Sequence, residues 1–277
     1  MGCVNVPVGD QLIEYRDSRI VKTEDVACEK RWLALPPGSK QVAVLDPSGF
    51  SLMTWNVYKA QGEHWSNEFA RLSRDQDIVL LQEAYLTLSF RAALEQSRFQ
   101  WSMVHAFDYN GAESGVLTAS KAPASGACLS RVVEPLIRIP KSWLMTRYPL
   151  GRSGEELWVA NLHGINFTIG TVRFRAQLES MASVLEAHRG PLILAGDFNN
   201  WNERRSGILW TIIERLKLIS LTLTEDERSL HWGNPVDHVF YRGLEVVEAG
   251  ALKVSSSDHN PVRVKFNVPD YSQEEQR

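Results

Sequence analysis

The sequence predicts a single layered α/β domain, and three observations support this prediction. First, the 277 residues are 44% apolar and 23% charged, which is the composition of an ordinary globular protein with a substantial core. Second, from Val42 onward short apolar, β-rich runs alternate with amphipathic segments, as in layered α/β folds. Third, no internal repeat, low-complexity tract or linker divides the chain. One domain is therefore expected.

Each predicted element follows from its own hydrophobic pattern. Short apolar runs bounded by turn residues predict strands at 41–46, 51–57, 77–83, 101–107, 114–120, 127–133, 142–148, 156–165, 191–197, 236–242, 244–254 and 258–266. Apolar residues at helical spacing predict helices at 64–76, 86–98, 171–188 and 205–218. The helix at 171–188 has the clearest pattern, since Leu178, Met181, Ala182 and Leu185 share one face.

The two ends of the chain differ from the middle. Residues 1–41 end in the breaker cluster Pro36-Pro37-Gly38-Ser39, and we interpret them as an arm packed on the domain. Residues 42–268 form the predicted catalytic domain, and 269–277 form a polar tail.

Composition excludes some classes of protein. The net charge of −3 argues against a general polyanion binder, although a nucleic-acid enzyme can be mildly acidic. Three cysteines lack any metal-binding spacing, and we expect reduced thiols, with a Cys3–Cys28 bridge as the alternative. No run reaches the roughly 18 apolar residues that span a membrane. The start lacks the layout of a signal peptide, so a cytoplasmic location is expected.

Polar residues at the ends of buried strands mark the candidate site. Glu83, His163, Asp197 and Asp237 each stand at or just beyond the end of an apolar run. Strand ends hold side chains rigidly while letting them face a cleft. Each residue alone is explained as well by a helix cap or by contact with solvent, but the repetition of this placement favours one shared site.

Two short motifs add chemistry to these positions. In GDFNNW (196–201), Asp197 and Asn199 are two residues apart and point to the same side of an extended chain. A carboxylate beside a carboxamide suits the orientation of a water next to a phosphate oxygen. In SSDHNPV (256–262), Asp258 precedes His259, and Asp237 is a candidate partner to fix the tautomer of that imidazole.

Seven segments together resemble a known superfamily. In order along the chain they are TWNVYK (54–59), LLQEA (80–84), ESGVLTASK (113–121), VANLHGIN (159–166), GDFNNW (196–201), VDHVFYR (236–242) and SSDHNPV (256–262). Their order and spacing resemble the endonuclease/exonuclease/phosphatase superfamily, which includes deoxyribonuclease I, apurinic endonucleases and neutral sphingomyelinases. The chain resembles most closely the bacterial branch called YafD. The resemblance covers about residues 42–266.

The resemblance implies a four-layer α/β sandwich, with two packed mixed β-sheets flanked by helices, and a metal site at one end of the sheets. The metal ligands it implies are Asn56, Glu83 and Asp258, and the metal is Mg²⁺ or possibly Mn²⁺. The catalytic residues it implies are His163, Asp197, Asn199, Asp237 and His259. Asp197 would activate the attacking water, Asn199 would contact the phosphate, and His259 would stabilise the pentavalent phosphorus.

Three functions are compatible with this site. The first is a nuclease with nucleic acid as its substrate, acting as a monomer. The second is a phosphatase or phospholipase-type esterase on a small or lipid phosphate, and the third is a degenerate domain that only binds a partner. Asn166, Trp201, Arg173 and Arg175 are the candidate substrate-binding residues. Arg147, Arg152, Arg204 and Arg205 are further candidates for a phosphate-binding rim, with solvated surface charge as the alternative.

Overall fold

Two large β-sheets lie face to face at the centre of the protein, in a computed structural model that describes residues 4–28, 32–34, 44–151 and 155–269. The strands in chain order are β1 (Val4–Asn5), β2 (Gln11–Arg16), β3 (Arg19–Glu24), β4 (Leu33–Ala34), β5 (Phe50–Asn56), β6 (Ile78–Tyr85), β7 (Gln100–Val104), β8 (Phe107–Tyr109), β9 (Ala112–Ser120), β10 (Gly126–Val133), β11 (Pro140–Pro149), β12 (Glu156–His163), β13 (Leu192–Asp197), β14 (Ile219–Ser220), β15 (Leu230–His231), β16 (Asn234–Pro235), β17 (Asp237–Arg242), β18 (Glu245–Ala251) and β19 (Val262–Asn267). The helices are α1 (Trp65–Ser73), α2 (Leu88–Gln96), α3 (Val172–Leu185) and α4 (Glu203–Arg215).

The first sheet has the strand order β18-β19-β5-β6-β9-β7-β2-β3, with β8 beside β9 and β1 beside β8. The second sheet has the order β14-β17-β13-β12-β11-β10-β4. Each sheet contains one parallel pair near its centre, β5 with β6 in the first and β12 with β13 in the second. The carboxyl ends of these four strands therefore define one edge of each sheet.

Three apolar layers hold the fold together. One layer lies between the sheets, a second joins the first sheet to α1 and α2, and a third joins the second sheet to α3 and α4. The third layer shows why the helical spacing matters, because Phe174, Leu178, Met181 and Leu185 of α3 are all fully buried in it. The predicted four-layer α/β sandwich is confirmed.

Side-chain caps start two of the helices. The hydroxyl of Thr87 accepts a hydrogen bond from the Phe90 N–H at the beginning of α2. The carbonyl of Asn202 accepts one from the Arg205 N–H at the beginning of α4. Such caps satisfy N–H groups that have no partner within the helix. Among the residues that the structure describes, no helix is long and apolar enough to cross a membrane.

The amino-terminal segment is integrated into the first sheet. β2 pairs with β7, and β3 pairs with β2, so residues 11–24 extend the sheet as a hairpin within the segment interpreted as an arm. The strand predicted at 41–46 lies partly outside the described residues, and its remainder forms only an isolated bridge between Leu45 and Leu150. The last strand begins at Val262 rather than at 258, because residues 255–259 form bends that carry His259 into the site.

The expectation of reduced thiols at Cys28 and Cys128 is wrong in this structure. Their sulfurs are bonded to each other, across 100 residues of sequence, with Cα atoms 4.8 Å apart. The alternative Cys3–Cys28 bridge is excluded by the same bond. The sequence spacing of the cysteines could not predict this pairing, because the two residues meet only in the folded chain. The backbone bridge between Ala27 and Leu129 lies next to the bond. This bond removes the cysteine argument for a cytoplasmic location.

Candidate active site

The register of the central strands brings the polar strand ends together. β5 ends at Asn56, which is paired with Gln82 of β6, and Glu83 is the next residue of β6. In the second sheet, His163 is paired with Asp197 across β12 and β13, and Asp197 is paired with Asp237 across β13 and β17. Both edges face the same cleft, since Asn56 of the first sheet donates a hydrogen bond to Asp197 of the second at 3.0 Å.

Glu83 occupies an irregular point in its strand. The pairing of β6 with β9 shifts register between Leu81 and Ala84, and Glu83 itself has a left-handed φ of 54°. Such a bulge redirects a side chain that regular pairing would point elsewhere. Its carboxylate forms an ion pair with Lys59 and lies 3.9 Å from the Lys141 ammonium. Burial alone would raise the pKa of Glu83, but the positive charges of the Lys141 and Lys59 ammoniums outweigh it, and the pKa is lowered to about 2.

Lys59 and Lys141 are site residues that the sequence reasoning missed. Lys59 is part of the motif TWNVYK, and it reaches Glu83 because Tyr58, Lys59 and Ala60 all have positive φ and fold the chain back. The motif was therefore the signal that could have identified it. Lys141 lies on β11 and offered no signal, because a lysine near a strand end is ordinarily solvated.

His163 is a neutral acceptor next to Lys141. The Lys141 ammonium lies 2.6 Å from His163 Nε2, and it can only donate a hydrogen bond. Burial and then Lys141 lower the pKa of His163 to about 3, against the opposite effect of Asp197 and Glu83. The same Nε2 lies 3.5 Å from Asp197 Oδ2. Lys141 and His163 therefore form one positively charged unit that faces the two carboxylates.

Asp197 is buried, and its carboxylate accepts three hydrogen bonds. Its carboxylate accepts hydrogen bonds from Asn56 Nδ2 at 3.0 Å, from the Asn199 N–H at 3.0 Å and from Asn199 Nδ2 at 3.3 Å. Gly196, which precedes Asp197, lets β13 lie close to β12, because a Cβ there would meet the Leu162 carbonyl oxygen at 2.0 Å. Asn199 also donates to the Gly164 carbonyl at 3.0 Å, which fixes its amide orientation.

The predicted hydrogen bond between Asp237 and His259 is present. His259 Nδ1 lies 2.7 Å from Asp237 Oδ2, and its Nε2 lies 4.0 Å from Asp197 Oδ2. Burial alone would lower the pKa of His259, but Asp237 and then Asp197 and Asp258 raise it to about 10. The ring is further placed by His231, whose centroid lies 4.7 Å away. His259 is thus an imidazolium held between two carboxylates.

The donor set fits a hard divalent cation. Within the described part of the chain, no group of three or more His, Cys, Asp or Glu side chains is arranged so that it could hold a metal ion by itself. Mg²⁺ needs only one or two carboxylates, because it keeps several of its waters. Glu83 shows that it accepts a cation, since its carboxylate already pairs with Lys59, and the Asn56 amide lies at the same edge. Asp258 is exposed and acts electrostatically on His259, and its neighbour Ser257 donates a hydrogen bond to the Asn56 backbone carbonyl at 2.7 Å.

The predicted substrate-binding residues fall into two groups. Arg173 and Arg175 are exposed in the first turns of α3. Asn166 and Trp201 are joined to each other, because Trp201 Nε1 donates to Asn166 Oδ1 at 2.9 Å. Trp201 is half-buried, with the Arg205 guanidinium 4.9 Å from the centre of its ring.

Arg205 does not line a phosphate-binding rim. It is only 1% exposed, and its guanidinium donates to the backbone carbonyls of Ile165, Asn166 and Asn199. Arg205 is buried because these hydrogen bonds connect α4 to the loop after β12. Arg147 is likewise engaged elsewhere, over the Trp32 ring and near Glu156. Arg204 is exposed, and Arg152 lies outside the described residues.

Known families and structures resemble this chain over most of its length. The sequence profile of the Endonuclease/Exonuclease/phosphatase family matches residues 53–259. A UPF0294 protein of Vibrio cholerae is 40% identical over 230 residues, which are 82% of each protein. A UPF0294 protein of Vibrio campbellii is 36% identical over 267 residues, or 96% of this chain and 91% of the relative.

Solved structures share the fold at low identity. An endonuclease/exonuclease/phosphatase from Beutenbergia cavernae superposes with a TM-score of 0.60 at 17% identity, covering 80% of this chain and 72% of the other. The human Nocturnin catalytic domain with bound sulfate gives 0.56 at 19% identity, covering 82% and 97%. ANGEL2, a 2',3'-cyclic phosphatase in complex with adenosine-2',3'-vanadate, gives 0.59 at 16% identity, covering 79% and 95%.

Proposed function

The chain belongs to the endonuclease/exonuclease/phosphatase family, and on this basis we propose that it is a divalent-metal-dependent phosphodiesterase. Members of this family are hydrolases that act on phosphate esters. The observation that carries the proposal is the placement of Asp197. Its buried carboxylate lies within 4.0 Å of the His259 imidazole and is held by the Asn56 and Asn199 amides.

Each side chain has a task in this reaction. Asp197 orients the attacking water and takes its proton, since a carboxylate within hydrogen-bond reach acts as a general base. His259, kept protonated by Asp237, donates to the phosphate oxygens as negative charge develops on them. Lys141 also offers N–H donors beyond the one that it gives to His163, and Asn199 is proposed to contact the phosphate in exchange for its 3.3 Å hydrogen bond to Asp197. His163 orients Lys141 by accepting its hydrogen bond.

The proposed metal ligands are Glu83, Asn56 and Asp258, and the proposed metal is Mg²⁺ or Mn²⁺. A bound cation would offset the negative charge of the phosphate oxygens. Glu83 is suited to this because it is already ionised and paired with a cation.

The proposal is tested by hydrolysis of bis(4-nitrophenyl) phosphate, a soluble phosphodiester. The purified protein is expected to turn it over with Mg²⁺ or Mn²⁺ and to lose this activity in excess EDTA. Restoring the cation after chelation should restore the rate. Full turnover in excess chelator, or no turnover with either cation, contradicts the proposed mechanism.

Nucleic acid is the first proposed substrate, and the protein is proposed to act on it as a monomer. The exposed Arg173 and Arg175 support this substrate class, as does the adenosine-based ligand named for ANGEL2. Neutralising three phosphates of single-stranded DNA gives a slope of about −2 in log affinity against log salt. Binding of labelled oligonucleotides by an Asp197→Asn protein, which should not turn over, measures this slope. An affinity independent of salt contradicts the nuclease assignment.

A lipid phosphodiester is the second candidate, and one observation favours it. Exposed aliphatic and aromatic side chains lie on the loops beside the site, among them Ile169 and Trp232. A purely polar substrate gives no reason for such residues to face solvent at the cleft. Release of the headgroup from sphingomyelin or from a phosphoinositide, measured beside oligonucleotide cleavage, distinguishes the two candidates.

A further inference from the structure

Five exposed apolar side chains form a set that we call the apolar rim. It consists of Phe167, Ile169, Val172, Leu230 and Trp232, which are 51%, 85%, 79%, 63% and 87% exposed. Three of them lie between the end of β12 and the first residue of α3, and two lie on the hairpin of β15 and β16. Scattered single apolar residues on a surface need no explanation, whereas several exposed on two linked loops beside a candidate site indicate an interaction surface.

Both loops of the apolar rim adjoin the catalytic residues. The first loop follows His163 directly in the chain. The hairpin carries His231, whose ring lies 4.7 Å from that of His259. Trp201 links the two loops, because its indole donates to Asn166 at 2.9 Å and its carbonyl accepts from Asn234 Nδ2 at 3.1 Å.

The rim side chains are exposed by well-defined backbone geometry. The buried Glu134 carboxylate accepts hydrogen bonds from the N–H groups of Asn166 and Phe167, which fixes the first loop. In the hairpin, Trp232 and Gly233 both have positive φ, at 54° and 82°, as in the tight turns that join two antiparallel strands. The turn therefore presents the Trp232 indole at its tip.

The composition of the rim identifies its partner. Three of the five residues are aliphatic, so they cannot stack on nucleobases as aromatic rings do. They project from two separate loops, which suits insertion into a deformable apolar phase. Arg173 and Arg175 are exposed directly after Val172, and basic residues beside tryptophan and aliphatic side chains are the combination that binds anionic lipid surfaces.

We propose that the apolar rim docks this protein on an anionic lipid bilayer, so that the cleft of Asp197 and His259 meets phosphodiester headgroups at the membrane surface. The rim would lie at the level of the headgroups and the upper acyl chains. The choice of lipid phosphodiesters as substrate rests on the second candidate substrate of the proposed function. The docking itself does not depend on catalysis.

The test is co-sedimentation with vesicles of phosphatidylcholine, alone and mixed with phosphatidylglycerol. The protein is expected to bind the mixed vesicles more tightly than the neutral ones. Replacing both Ile169→Ser and Trp232→Asn should weaken binding about a hundredfold, since each exposed side chain that leaves water contributes roughly tenfold. Asn is chosen at 232 because it tolerates positive φ.

The matched control is Ile219→Ser. Ile219 is 56% exposed, and it is paired with Tyr241, at the other end of β17 from Asp237. This variant should bind vesicles as the unaltered protein does. Circular dichroism and thermal unfolding of all variants separate lost docking from lost folding.

Three outcomes would overturn the docking proposal: no sedimentation with either vesicle, equal binding by the double variant, or equal loss in the Ile219→Ser control. If the double variant instead lost only oligonucleotide binding, the rim would belong to a nucleic-acid site. Turnover of bis(4-nitrophenyl) phosphate, measured on the unaltered protein without vesicles, reports on the proposed function alone. Vesicle binding without that turnover would keep the docking surface and reject the phosphodiesterase.

Discussion

At the scale of single residues, Asp237 acts on the site through His259. The 2.7 Å hydrogen bond to Nδ1 fixes the ring and stabilises its charge. Asp237→Asn removes that charge with little change in shape, and we expect a fall in kcat of roughly 10–100-fold on a soluble phosphodiester. The control is Asp77→Asn, which makes the same change near the start of β6, where Asp77 accepts from the Ser51 N–H. A similar loss in both variants would contradict a role specific to His259.

His238, next to Asp237, links stability to pH. Its Nδ1 lies 3.3 Å from the Arg228 guanidinium, which only donates, so Nε2 carries the proton toward Asn200 Oδ1 at 3.1 Å. Burial and Arg228 lower the pKa of His238 to about 3, well below the ordinary value of 6.5. The unfolded chain therefore binds a proton that the folded protein does not bind between these two values. The neutral ring contributes stability that is complete above pH 6.5 and is lost as the pH falls toward 3.

This dependence predicts a measurable change in slope. Urea unfolding between pH 6.5 and 4 should show the free energy of unfolding falling by up to about 1.4 kcal/mol per pH unit from this one group. His238→Gln should flatten the curve, whereas His64→Gln, at an exposed position, should leave its slope unchanged. Identical slopes for the two variants would show that His238 does not carry the effect.

The sequence predicted most residues of the candidate site and missed the cations that lie beside them. Glu83, His163, Asp197 and Asp237 stood out because the same placement, at or just beyond the end of an apolar run, recurs four times in one chain. Lys141 could not be identified in this way, because only the pairing of β11 with its neighbours brings it to His163. The expectation that Arg205 lies at the surface was wrong, because its position in the sequence does not show which face of α4 packs inward.

At the scale of elements, a buried polar bridge links the two sheets behind the site. Gln82 Nε2 of β6 donates to Asn161 Oδ1 of β12 at 2.7 Å, and Asn161 Nδ2 donates to the Leu117 carbonyl at 2.9 Å. Gln82 and Asn161 are both fully buried. Their sequence neighbours Glu83 and His163 are site residues, so this bridge sets the position of one half of the cleft relative to the other.

The bridge predicts strongly coupled mutations. Asn161→Leu should lower the free energy of unfolding by roughly 2–4 kcal/mol, because it leaves buried donors and acceptors without partners. Gln82→Leu alone should also be destabilising. Together the two changes should cost at least roughly 1 kcal/mol less than their sum, because both partners become apolar. Strictly additive values from urea unfolding would show that the bridge makes no specific contribution.

The strands and helices were more predictable than their junctions. Eleven of the twelve predicted strand segments and all four predicted helices correspond to observed elements, and the helix predicted at 171–188 appears as α3, Val172–Leu185. The short β15–β16 hairpin was not predicted, because two-residue strands carry no period. The bulge at Glu83 was equally hidden, since a register shift depends on the partner strand.

At the scale of the whole molecule, the Cys28–Cys128 bond joins the amino-terminal segment to β10. A cross-link that closes a loop of 100 residues lowers the entropy of the unfolded chain. Cys28→Ser with Cys128→Ala should therefore lower the free energy of unfolding by roughly 2–5 kcal/mol. Reductant should weaken the unaltered protein similarly, whereas Cys3→Ser should not change it. An unfolding midpoint insensitive to reductant and to the double change would contradict this contribution.

The four-layer architecture was predictable because the family resemblance supplied it, and alternating elements supported it. The position of the apolar rim relative to the candidate site was not predictable from the sequence. Phe167 and Trp232 are 65 residues apart in the sequence, and only the contacts of Trp201 show that their loops are neighbours. The proposed docking surface therefore depends on which loops meet beside the candidate site, and the sequence does not show this.

The most direct test of the central claim is the rate of hydrolysis of a soluble phosphodiester as a function of Mg²⁺ concentration, in two variants. Glu83→Gln should raise the Mg²⁺ concentration needed for half-maximal rate, because it weakens the proposed metal ligand. Asp197→Asn should leave that concentration nearly unchanged and lower kcat by about 10²–10⁴-fold, because it removes the general base. If both variants kept rates and Mg²⁺ requirements within about threefold of the unaltered protein, a difference below 1 kcal/mol, the proposed division of labour between Glu83 and Asp197 would be wrong.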